Sequence, residues 1–188
     1  MKNLAVCFIA LILMFSCKNE NTEKTEKTEN TKESKENEVV EDKKNEDYFT
    51  LTLDAIVKNN DEFSLFYLEG EQNSITKENS LTVNVAGNNL EQSIVIQLQE
   101  DVLPTRLIFK YGKNLTSQSI QIKGARLDYN GDEIVISDQN FFQFFIPNSN
   151  IVYNRETYIA SSKEVNGKHE PVFYSRKILE DKLDYTFY

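Results

Sequence analysis

The reactive side chains of this 188-residue chain are few: two cysteines, Cys7 and Cys17, and one histidine, His169. Two cysteines ten residues apart could close a small disulfide loop or act as a redox couple. One His and two Cys fall short of the four protein ligands of a structural His/Cys zinc site. Any Ser-His-Asp triad must use His169, and His169 falls in Asn166-Gly167-Lys168-His169-Glu170-Pro171, which reads as an exposed loop. No Gly-x-Ser-x-Gly elbow or glycine-rich phosphate loop occurs. Carboxylates are plentiful, and a pair of them could hydrolyse a glycan, but 30 acidic against 21 basic residues makes acids common everywhere. The net charge of −9 excludes a basic surface for nucleic acid. The sequence assigns no catalytic residue, metal ligand or cofactor.

The neighbours of the cysteines say more than their spacing. Lys2 precedes a 12-residue apolar run, Leu4 to Phe15. That is too short for a transmembrane helix of about 20 residues and has the length of a signal-peptide core. It ends in Met14-Phe15-Ser16-Cys17, after which Lys, Asn, Glu and Thr take over. This ending resembles the lipobox of bacterial lipoproteins. The resemblance implies cleavage between Ser16 and Cys17, removal of residues 1–16 with Cys7, and acyl chains on Cys17. Its expected partner is therefore a membrane, with the protein anchored in the cell envelope at the outer membrane; both faces of that membrane stay open. A plain secretory signal and an uncleaved anchor are the alternatives.

Residues 18–47 hold 7 Lys, 11 Asp or Glu and, apart from Val39-Val40, almost nothing apolar. Such a segment cannot bury enough apolar area to offset the entropy of ordering. It reads as a disordered, charged tether, spanning roughly 30 Å as a flexible coil.

Residues 48–188 hold 19 of the 21 aromatics, and their periodicity is two rather than 3.6. Phe49, Leu51, Leu53 and Ala55 alternate with polar residues and should share one face. Strands are also predicted at 62–68, 81–85, 94–98, 106–111, 119–129, 133–137, 151–153 and 156–165. Gly124 is the expected bulge of the longest strand. Asn130-Gly131 predicts a type I′ hairpin; the spacing of Asp128, Asn130 and Asp132 also has the look of a calcium loop, without its later ligands. Asp138 to Phe145 predicts a short Phe-rich helix or turn capped by Asp138, and 175–183 a short C-terminal helix. The fold class expected is all-β, an antiparallel jelly-roll-like sandwich.

Four stretches, Phe63–Tyr67, Leu103–Leu107, Ser119–Lys123 and Phe144–Asn148, resemble a bacterial envelope domain. It is similar in layout to galactose-binding-like, carbohydrate-binding-module sandwiches. The resemblance implies a non-catalytic binding or accessory module, with envelope glycan or an envelope protein as partner. Aromatic platforms for a sugar are sought at Tyr67, Tyr111, Tyr153 and Tyr158, and polar partners at Asn88, Asn89, Lys110, Asn114 and Arg126. A glycan hydrolase with a carboxylate pair and a purely structural or adhesive lipoprotein are the competing expectations.

Overall fold

A computed structural model of the chain describes residues 48–113 and 117–188. Ser16, Cys17, the expected signal and tether, and Asn114 lie outside the described residues. Among the described residues, no helix is long and apolar enough to cross a membrane.

Two antiparallel sheets pack face to face. The first contains β1 (Tyr48–Val57), β4 (Gln92–Glu100), β6 (Ser119–Tyr129), β7 (Asp132–Ser137), β9 (Ile151–Asn154) and β10 (Ile159–Ser162). Its order is β4-β1-β6-β10-β9, with β7 also paired to β6. The second contains β2 (Asp61–Leu68), β3 (Ser80–Val85), β5 (Arg106–Lys110), β8 (Phe145–Pro147) and β11 (Val172–Ser175), in the order β3-β2-β5-β11-β8. The chain crosses repeatedly between the sheets, so the described residues form an all-β sandwich with one core.

Alternation builds that core. Phe49, Leu51, Leu53 and Ala55 of β1 are buried, as are Phe63, Leu65 and Tyr67 of β2. Each Phe- or Leu-sized side chain contributes about 1.5–3 kcal/mol on full burial. Along β6 the inward set changes phase, from Ile120 and Ile122 to Ala125 and Leu127. A bulge explains it: Ala55 pairs with Ile122 but Asp54 with Gly124, leaving Lys123 as the extra residue. A Cβ on Gly124 would sit 3.1 Å from the Ile136 carbonyl, so the close approach of β7 favours glycine there. The β6–β7 turn has φ of 51° at Asn130 and 87° at Gly131. Those are the positive values that a type I′ hairpin requires.

The Phe-rich segment plugs one end of the core. Phe141 opens the four-residue α1 (Phe141–Phe144), and its ring stacks on Phe145 at 4.8 Å between centroids. Asp138 does not cap it: the cap position is Asn140, and the Asp138 carboxylate accepts the Gln139 N–H instead. The helix is a single turn, so little is lost without a cap. The closing helix α2 (Lys177–Phe187) buries Leu179 and Leu183 and sets Phe187 edge-on to Phe49. The run expected as a strand over 156–165 is extended only at β10. Before it the chain turns, with Asn154 accepting the Glu156 and Thr157 N–H groups and Tyr158 at φ 56°.

Candidate functional site

Among the described residues, the sugar-site residues expected from the sequence do not come together. Tyr111 is fully buried, its ring clustered with those of Phe109 and Phe173 at 6.1–6.5 Å between centroids. Its hydroxyl donates to the Ala160 carbonyl at 3.1 Å, and burial raises its pKa further than the nearby Asp61 does. Tyr67 is also inside, only 6% exposed. Neither ring is a platform: both occupy inward positions of β2 and the β5 end, where the alternation with Phe63 and Leu107 puts them. Tyr153 stacks on Phe142, and burial pushes its phenol up to about 12.

Lys110 and Arg126 belong to different sheets. Lys110, on β5, borders a pocket of about 210 Å³ with Glu62, Ser64, Phe66, Lys113 and His169. Glu62 and Lys113 form an ion pair there. His169 is half-buried rather than exposed, and its Nε2 lies 3.0 Å from the Ser162 hydroxyl. That hydroxyl is buried and accepts the Gln118 N–H at 2.7 Å. Among the described residues, no carboxylate partners His169 Nδ1, which is buried without a hydrogen bond. Behind this pocket Asp61, 8% exposed, accepts the backbone N–H groups of Glu62, Gly112 and Lys113 and so ties β2 to the loop after β5.

Arg126 stands on the outward face of the first sheet, in an open groove. This groove holds about 360 Å³ and is lined by Tyr48, Thr50, Thr52, Val95, Arg126, Asp128 and Glu133, among others. That volume is near the lower end of ligand sites, about 300–1,000 Å³.

Register builds the groove. Thr52 pairs with Val95 on one side and Arg126 on the other, and Arg126 pairs with Val135. The next row runs Gln97, Thr50, Asp128, Glu133, and the row before it Ser93, Asp54, Gly124, Ser137. Side chains two residues apart share a face, so twelve positions from four strands form one outward grid. Nine of them are Ser, Thr, Asp, Gln, Glu or Arg placed two residues apart along the strands. Tyr48 closes one end of the grid and is 37% exposed.

No protein-family model matches the chain, and no curated protein matches it.

The electrostatics of the groove are mixed. The Arg126 Nε donates to Asp128 Oδ2 at 3.0 Å. This hydrogen bond is the largest cause holding the Arg126 pKa above its usual value, and the charges of Asp128, Glu133 and Asp54 add to it. One cation therefore faces three carboxylates. Such a surface offers both donors and acceptors but repels an anion. Tyr48 was missed because it follows directly on the charged segment, one residue out of phase with the core residue Phe49. The signal that could have found it is β1's outward set, Tyr48, Thr50 and Thr52.

Proposed function

We propose that this protein is a lipid-anchored module of the bacterial envelope, held to the membrane through acyl chains on Cys17, whose sandwich binds an uncharged glycan. The groove on the first sheet is the site. The observation that carries the reading is the grid around Arg126: an aromatic face at Tyr48 beside Thr, Gln, Asp, Glu and Arg side chains from four strands. A sugar ring stacks its C–H face on an aromatic ring, and its hydroxyls both donate and accept. Carboxylates such as Asp128 and Glu133 accept from hydroxyls, while Arg126 donates to them. The surplus of acid in the groove favours a neutral polymer over an anionic one. The module is non-catalytic on this reading. The buried Ser162 hydroxyl, engaged by Gln118, supports that view of the His169 pair.

One observation favours the hydrolase as a second reading. Asp128 and Glu133 are register partners on β6 and β7. Directly opposed residues bring their Cβ atoms to about 4.5–5.5 Å, a spacing from which a retaining pair could be built.

A titration of the full chain in detergent with neutral oligosaccharides, with reducing ends assayed in the same samples, separates the two. Binding without new reducing ends supports the module. New reducing ends that vanish in Asp128→Asn support the hydrolase. The anchor has its own test: Cys17→Ser should abolish incorporation of labelled fatty acid, and retained label would contradict it.

A further inference from the structure

We infer that β4 is a self-association edge, on which a second copy of this chain pairs antiparallel to extend the six-stranded sheet. Among the described residues, β4 is the terminal strand of that sheet, paired to β1 on one side only. An edge strand presents a row of unpaired N–H and C=O groups, and proteins usually blunt it with charge, proline, a bulge or brevity. The other edges among the described residues are short: β3 and β7, the latter paired to β6 alone, have six residues each, β9 four, and β8 three, ending in Pro147. β4 has nine, with the sequence Gln-Ser-Ile-Val-Ile-Gln-Leu-Gln-Glu, and its first charge is Glu100 at the far end. Its one irregularity is at that same end, where Tyr48 pairs with Glu100 but Thr50 with Gln97. Over Gln92–Gln97 the edge is regular, uncharged and free of proline.

The same strand is suited to pairing with itself. A two-fold axis at Val95 sets Val95 against Val95 on the outward face, where it is 53% exposed. It sets Ser93 against Gln97, and Ile94 against Ile96 on the inward side. Glu91 then faces Gln99, and Glu100 faces Leu90, so no two acids oppose each other although the whole chain carries −9. An axis one residue along, at Ile96, would set Glu91 against Asp101, and like charges opposed across a ladder destabilise it. Charge thus disfavours the register centred on Ile96.

The pairing stands without the glycan reading. On that reading, which this one consequence rests on, the two grooves lie side by side on one continuous outward face. A polymer that spans both gains from effective concentration without any new contact.

Sedimentation equilibrium of the full chain in density-matched detergent tests the inference. The wild type should reach twice the mass of a single chain as concentration rises. Val95→Lys should weaken association about tenfold or more, because two cations then face each other across the axis. Val135→Lys, at a more exposed position of the same face (64%) but on β7, away from β4, should leave it unchanged. A single-chain mass at every concentration overturns the inference, as does an equal effect, or no effect, of the two substitutions. Hydrogen exchange of the wild type decides without any substitution: β4 amides should slow as concentration rises, and concentration-independent exchange at β4 overturns the pairing.

Discussion

The Arg126 guanidinium reaches along its own strand to Asp128, with Nε 3.0 Å from Oδ2, on the floor of the outward groove. The two side chains are 50% and 36% exposed, so water screens the pair and it adds little to folding. Arg126→Ala should therefore leave the thermal midpoint unchanged, as read by differential scanning fluorimetry. It should weaken glycan binding about tenfold, the loss of roughly 1.4 kcal/mol of donor contacts. A large fall in the midpoint would make Arg126 structural and remove it from the site.

Tyr111 has the opposite signature. Its hydroxyl is buried against the Ala160 carbonyl, and a neutral intramolecular hydrogen bond of this kind contributes about 0.5–1.5 kcal/mol. Tyr111→Phe should lower unfolding free energy by about 1 kcal/mol in a denaturant titration, with glycan affinity untouched. Lost affinity at unchanged stability would return Tyr111 to the binding surface.

Gly87 occupies a spot where backbone leaves no room for a side chain. A Cβ there would meet the Lys58 carbonyl oxygen at 2.6 Å and Asn59 backbone carbons at 2.7 and 2.8 Å. The Gly87 N–H also donates to the Asn60 side chain at 2.8 Å. Gly87→Ala must push the β3–β4 loop off the β1–β2 loop, at a cost of about 1–3 kcal/mol, typical of overpacking. Chemical denaturation measures it; an unchanged midpoint would show that the loops separate freely.

Alkaline pH should destabilise the fold through Tyr153. Burial is the main cause that pushes its phenol up to about 12, with the Tyr158 and Asp138 charges adding and Arg155 opposing. The folded state then holds a proton that the unfolded chain releases near 10. The sign follows: this contribution is complete below pH 10 and is lost as pH rises from 10 toward 12. Stability measured across that window should fall, and Tyr153→Phe should flatten the fall. A pH-independent stability between 10 and 12 would contradict the burial of this phenol.

Much of the fold is legible in the chain because period-two alternation reports the core directly. Phe49 to Ala55 and Leu107 to Tyr111 point inward as their spacing predicts. The same alternation places Tyr67 and Tyr111 inside. Reading them as sugar platforms weighted the phenol over its position. β8 and β11 escaped notice because three- and four-residue strands carry too little period to register, and Pro147 reads as a stop. The groove was the least visible part. Its rows depend on the bulge at Lys123, which shifts the β1–β6 register, and register across four strands leaves no local mark in the sequence. Arg126 was found as an outward cation; its neighbours Thr52, Asp128 and Tyr48 were not, because only pairing brings them together.

The most direct test is a calorimetric titration of neutral oligosaccharides into the full chain and into Tyr48→Ala. The account predicts saturable binding to the wild type and a loss of affinity of about tenfold, roughly 1.4 kcal/mol, in Tyr48→Ala. Equal affinity of the two proteins, or no heat from any neutral glycan, would contradict it.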